Sequence, residues 1–218
     1  MTAARVLGVS AGGIGHLDDG RRRMRSGFVK ATLTGRVEVG SRGLPGDAHA
    51  YRHHGGPDMA LCVFAADHLP RWRATGLDLP DLAAFGENLT LRGLVETEVR
   101  IGDVHRFTGD AGDGALVQVT QPRAPCRKIA VRHGRPGLDR ALLRAGHVGW
   151  LLRVLEPGTV AAGDTLTLVD RDERAVSVAE ASRVLDLDRR DQAAVPAVLA
   201  STGLAEAAVA TLCARLAR

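Results

Sequence analysis

The feature that most constrains this chain is a series of short runs in which apolar and polar residues alternate. They read "FVKATLT", "RVEV", "ALCVF", "NLTL", "EVRI", "DVHRF", "ALVQVT", "WLLRVL" and "TLTLV", separated by Gly-Asp, Gly-Gly and proline-containing turns at irregular spacing. A period of two gives each run one buried face, and a set of such faces needs a common core. Two runs begin just after Gly-Asp pairs, Gly102-Asp103 and Gly163-Asp164, which mark a turn followed by a strand. Only "AADHLPRWRAT" and "GLDRALLRAG" interrupt them with a helical pattern. Many short strands and few helices predict a mainly β fold with a closed or strongly bent, barrel-like core.

The tail differs. Residues 177–218 are nearly all helix formers, and three helices are expected at 178–185, 189–200 and 204–217. Ser177 and Glu180 have the spacing of a capping box at the first of them, and Gly203 separates the last two. The expected organisation is a flexible basic lead-in over residues 1–26, a β-barrel domain over 27–171 and a three-helix domain over 172–218. The last is too small to be sturdy alone. It reads as an appendage whose removal would spare the site but weaken contact with a partner.

Charge argues against one class of function. The formal net charge is +4, yet residues 1–30 hold six basic and two acidic residues, and the remainder holds 23 of each sign. With aromatics at 3%, this balance argues against a nucleic-acid module, which needs a basic face interleaved with stacking rings, and "RRRMR" reads as a solvated arm. The core must be aliphatic. No apolar run approaches the roughly 20 residues of a membrane span, and the start lacks a signal-peptide pattern, so a cytoplasmic location is expected. The three cysteines, Cys62, Cys126 and Cys213, are far apart without a CxxC pair, which argues against a zinc ribbon, an iron–sulfur cluster or a disulfide framework.

Arginine outnumbers lysine 27 to 2. A bias this strong makes the two lysines, Lys30 and Lys128, informative, because they stand where arginine is otherwise the default. Lys128 lies two residues from Cys126 in "QPRAPCRK". There Pro122 and Pro125 stiffen the backbone, while Arg123, Arg127 and Lys128 surround the thiol with positive charge that favours thiolate. A thiolate is both a nucleophile and a soft-metal ligand, and the same cations suit a phosphate. "HHGGPDMALCVF" pairs two glycines that could bring backbone N–H groups against an anion or simply make a tight turn; its Cys62 reads as a small core residue. "FGENLT" sets Glu87 beside Asn88. These could donate a proton and fix a substrate carbonyl, or form an Asx-type turn. "AGGIG" follows no convincing strand and opens no βαβ unit, so it reads as a flexible loop rather than a dinucleotide site.

Taken in order, "GFVK", "GLPGDAHA", "HHGGPDMALC", "FGENLTLRGLVETEVRIGDVHRF", "VQVTQPRAPCRK" and "GHVGWLLRVLEPGTVAAGDTLTLVDR" resemble the MOSC-domain family, named for the C-terminal domain of molybdenum cofactor sulfurase. The helical tail is similar to the three-helix domain carried by one bacterial branch. The resemblance implies a β-barrel that binds a molybdenum cofactor, a pyranopterin dithiolene bearing a phosphate, with Cys126 as metal ligand. Lys30, His54, Arg123 and Lys128 are then candidates for cofactor contact, and Asp58, Glu87 and Asn88 for proton delivery or substrate orientation. The implied activity is the reduction of small N-hydroxylated compounds such as 6-hydroxylaminopurine. Electrons would come from an external reductase, which could dock through the tail or the arginine arm, and a homodimer is an open assembly. The other reading is a sulfur or cofactor carrier using a Cys126 persulfide. Tyr51, Arg52 and His53 depart from the acidic or lysine-rich residues usual in the family, and "AGGIGHLDDGRRRMR" matches no part of it.

Overall fold

A computed structural model describes residues 3–20, 23–51, 54–110 and 112–217. Arg21 and Arg22 of the basic arm, together with Arg52 and His53, lie outside these residues. The strands are β1 (Ala3–Ala11), β2 (Gly15–Asp18), β3 (Arg23–Ser26), β4 (Ala31–Leu33), β5 (Val37–Val39), β6 (Leu61–Ala65), β7 (Leu89–Arg92), β8 (Val104–Gly109), β9 (Gly112–Pro122), β10 (Trp150–Glu156), β11 (Gly158–Val160) and β12 (Thr165–Asp170). The α-helices are α1 (Leu69–Arg73), α2 (Arg127–Arg132), α3 (Leu138–Ala145), α4 (Val178–Ser182), α5 (Val195–Leu199) and α6 (Glu206–Leu216). None is long and apolar enough to cross a membrane.

Seven strands close on themselves in the order β1-β7-β6-β10-β9-β8-β12, with β12 returning to β1. Every pairing in the ring is antiparallel except β6 with β7. Closure removes the exposed edges that so many short strands would otherwise present. The inside is aliphatic apart from Phe107 and Trp150, with Leu61, Val63, Val119 and Leu152 fully buried. On β6 the alternation is decisive. Leu61 and Val63 point inward, Phe64 joins a second apolar cluster under α1 to α3 with Phe85 and Ile129, and Cys62 shares that outer face.

Several expectations are corrected. The described part of the lead-in is built into the fold: β1 pairs with β12, β7 and β4, with Val6 and Val9 in the core, and β2 and β3 form a ribbon. Gly8 hides β1 in the sequence by interrupting its apolar pattern. A Cβ there would stand 2.6 Å from the tip of the Leu82 side chain, which would have to turn aside. "AGGIG" therefore does follow a strand, but it leads into the β2–β3 ribbon and not into a helix, so no dinucleotide motif forms. "EVRI" makes a turn with one isolated bridge, Arg100 to Ser177, instead of a strand. The helix expected at 189–200 shrinks to α5, since the Pro196 ring forbids an earlier helical turn and Asp191 caps the Ala194 N–H at 3.1 Å. Ser177 does cap α4 through the Glu180 N–H, but the Glu180 carboxylate turns to Arg183 (2.7 and 2.9 Å) and leaves the box half made.

The helical tail also packs more intimately than an appendage. Val178, Val184, Val198 and Leu212 are fully buried in the same cluster as the barrel interior. Arg171 fastens its start by gripping the buried Asp103 carboxylate at 2.8 and 2.5 Å.

Candidate functional site

The candidate site lies on the outer face of the barrel, where strand register lines up residues from neighbouring strands. Cys62 on β6 pairs with Leu151 on β10, which pairs with Gln121 on β9, so the three side chains share one face. Asn88 continues the row just before β7. Its backbone N–H donates to the Cys62 carbonyl at 2.8 Å, and its Oδ1 accepts the Cys62 N–H at 2.9 Å. Segments from far apart in the chain wall in this floor. The result is a cavity of about 300 Å³ lined by, among others, Lys30, His49, His54, Asn88, Arg123, Cys126 and Lys128.

Cys126 reaches this wall because β9 ends at Pro122 and α2 begins at Arg127, leaving the thiol in the short proline-bounded link between them. Sequence reasoning missed α2, whose apolar face is little more than Ile129. The cations around the thiol divide their work. Arg127 turns away to pair with Asp19 at 2.7 Å, whereas Arg123 and Lys128 line the cavity. Among the described residues neither Arg123 nor Lys128 has a carboxylate partner; Arg123 donates to the Phe85 carbonyl. This leaves two positive charges facing the cavity beside the thiol.

Lys30 is placed differently. Its side chain is 5% exposed and its ammonium is paired with Asp47, whose side chain is 4% exposed. Asp47 is the residue that sequence reasoning overlooked. Its carboxylate also accepts the Gly12 N–H at 3.0 Å and the Asn88 Nδ2 at 3.0 Å, so it joins the end of β1, the β4 approach and the β7 approach beneath the cavity. His49, two residues on, lines the cavity with Nε2 3.9 Å from Asp47, and its burial lowers the imidazole pKa below the usual value. Only the polar "GDAHA" string hinted at either.

Of the sequence-predicted site residues, Cys126, Lys30, His54, Asn88, Arg123 and Lys128 line one cavity. Glu87 and Asp58 do not. Glu87 is fully buried, and its two oxygens accept the Phe85 N–H and the Thr90 hydroxyl, each at 2.9 Å. It stabilises the turn in which Gly86 takes φ +79° close against Phe28. Asp58 pairs with Arg153 at 2.8 Å and accepts the Glu206 N–H at 2.9 Å, clasping α6 to the barrel. Neither carboxylate lines the cavity, and both are engaged by the fold. Cys62, expected in the core, instead sits on the cavity wall, where burial pushes its thiol pKa up. The strand alternation of "ALCVF" already carried that information. Among the described residues no three histidine, cysteine or acidic side chains group as a metal cage.

Comparison with known proteins follows the same outline. The family model for the MOSC domain matches residues 50–167. The Bacillus subtilis protein YflK is 37% identical over 202 residues, covering 92% of this chain and 89% of that protein. A Gibberella moniliformis protein named Reductase is 36% identical over 163 residues, which is 73% of this chain but 28% of that longer one. The crystal structure of YiiM from Geobacillus stearothermophilus superposes with a TM-score of 0.80 at 30% identity, covering 98% of this chain and 99% of that one.

Proposed function

The chain belongs to the MOSC domain family, and on that premise we propose that it is a molybdenum-cofactor-dependent reductase of N-hydroxylated compounds, 6-hydroxylaminopurine among them, with Cys126 as the thiolate ligand to molybdenum. The observation that carries this reading is the meeting of Cys126 with Arg123, Lys128 and His54 in one cavity built from distant segments. The donor set fits the cofactor. A thiolate suits a soft metal, and cations without carboxylate partners suit a phosphate. Cys62 and Cys126 both border the cavity, but no cage of three metal-ligating side chains forms among the described residues, which suits a metal whose remaining ligands come with the cofactor.

When bound, the cofactor supplies the two-electron chemistry that removes oxygen from nitrogen. The chain's part is binding, orientation and proton supply. Pro122 and Pro125 restrict the approach of Cys126, Arg123 and Lys128 hold the phosphate, and the Lys30–Asp47–Asn88 network fixes the floor. His49 is the proton-handling group we assign in place of Glu87 and Asp58: its ring borders the cavity, and burial, which lowers its pKa, favours the neutral imidazole that accepts a proton at one ring nitrogen and releases one from the other. A carrier with a Cys126 persulfide would need the same thiol but no such proton group, so His49 favours turnover.

Electrons come, in this reading, from a separate reductase. The match to the protein named Reductase occupies a minor part of a much longer chain, an arrangement suited to joining a reductase to its electron supply.

The test is turnover. Protein made in a cofactor-producing host, given a chemical electron donor, is expected to convert many equivalents of 6-hydroxylaminopurine to adenine, and protein from a cofactor-deficient host none. Conversion that stops at one equivalent per chain, or equal activity from both hosts, would remove the reductase reading.

A further inference from the structure

Most polar side chains around the cavity are held by the fold itself. Asn88 has its oxygen on the Cys62 N–H and its nitrogen on Ser10 and Asp47, and Lys30 has Asp47. Gln121 is different. Its Oε1 is sealed from solvent and accepts no hydrogen bond among the described residues. The other buried side-chain polar atoms in that condition belong to Ser10, His105, Trp150 and Arg153, none of which lines the cavity. Native structures rarely keep a buried acceptor unsatisfied without a reason, and in a side chain that lines a cavity a ligand supplies one when the amide turns its oxygen toward the cavity.

Register fixes the face on which the Gln121 side chain stands, though the side chain also borders a second cavity beside Asp186 and Arg215. Gln121 stands beside Leu151, and Leu151 beside Cys62, on the face of the sheet that forms the cavity floor. Leu151, Met59 and Phe28 contribute apolar surface to the same cavity, against which a flat ring can lie. Cys62 is a neutral neighbour, since burial raises its thiol pKa. A planar group presenting an N–H along its edge satisfies both the amide and the apolar surface.

We propose that Gln121 reads a planar nitrogen heterocycle, its Oε1 accepting an N–H from the edge of the ring seated against Leu151. The inference rests on the cofactor reading of the cavity, which brings two such heterocycles, the pterin of the cofactor and a purine substrate. The acceptor chemistry is common to both, and the experiment separates them.

Binding of free pterin and of adenine is measured by fluorescence and calorimetry on cofactor-free protein, for wild type, Gln121→Leu and Gln121→Glu. Leucine removes the acceptor at similar volume and glutamate keeps an oxygen there. Loss of one hydrogen bond at a buried acceptor predicts roughly 10- to 100-fold weaker binding in Gln121→Leu, with Gln121→Glu much nearer wild type. Loss confined to pterin assigns the contact to the cofactor, loss confined to adenine assigns it to the substrate, and loss of both makes it a shared contact. A second arm needs no variant: 9-methyl-N6,N6-dimethyladenine, which has no N–H, should bind wild type at least about tenfold more weakly than adenine if the purine is the ligand. Equal affinities of wild type and Gln121→Leu for both probes, or no binding of either probe to wild type, would overturn the proposal. Because no arm uses molybdenum or turnover, a Gln121 effect in a protein that never reduces an N-hydroxylated compound would sink the reductase reading and leave this contact standing.

Discussion

A chain ending at Asp170 is expected to lose its cooperative unfolding transition altogether. Val178, Val184, Val195, Val198 and Leu212 are each at most 1% exposed and pack into the interior cluster of the barrel. Burying each such side chain contributes roughly 1.5–3 kcal/mol, so their joint removal approaches the whole net stability of about 5–15 kcal/mol that a domain typically has. The cut also removes Arg171 and leaves the fully buried Asp103 carboxylate without its guanidinium, a loss that costs about 3–5 kcal/mol where a buried pair is broken on one side. Thermal scans with binding of a hydrophobic dye should show a broad, dye-binding state. A sharp melt within a few degrees of the full chain would mean that the barrel stands alone, as the sequence reading of an appendage implied.

The second large effect belongs to Asp47. Asp47→Ala strands the Lys30 ammonium in a buried position and takes an acceptor from Gly12 and Asn88 at once. Breaking one side of a buried pair costs about 3–5 kcal/mol. For a chain of this size that is on the order of 10 °C in Tm. The double variant Lys30→Met/Asp47→Leu should recover much of that stability, since no unpaired charge remains, and yet bind cofactor poorly because Asn88 has lost its anchor. If the single variant melts within a degree or two of wild type, Asp47 is not the hub described here. If the double variant retains full cofactor, the network serves stability alone.

The comparison of Asp47 with Glu87 shows what the sequence could and could not reveal. Strand runs were legible because period-two alternation is a local consequence of burial, and most appear as strands within a residue or two. "EVRI" fails because its apolar residues, Val99 and Ile101, are buried in a turn that meets the helical tail. The same locality explains Cys62, whose outward position follows from its inward neighbours Leu61 and Val63. Which acid would support the cavity from beneath was not legible. Glu87 sits beside Asn88, yet adjacent residues entering a strand face opposite ways. Asp47 lies far from Asn88 in sequence and reaches it only when β1, the loop before β6 and the approach to β7 close together. Lys30 and Lys128 were singled out by composition, a signal independent of local structure, and both reach the cavity. Their circumstances differ, one neutralised by a buried carboxylate and the other without one among the described residues, and composition had no access to that difference.

Molybdenum content per chain tests the central claim most directly. Wild type and Cys126→Ser would be made in a cofactor-producing host, with circular dichroism confirming that both are folded, and the metal measured by elemental analysis. Serine keeps the size of the side chain but replaces a soft thiolate by a hard hydroxyl. Close to one molybdenum per wild-type chain is expected, with a large loss in the variant. Equal molybdenum in the two proteins would contradict Cys126 as the ligand, and a wild type without molybdenum from a competent host would contradict the cofactor reading of the cavity itself.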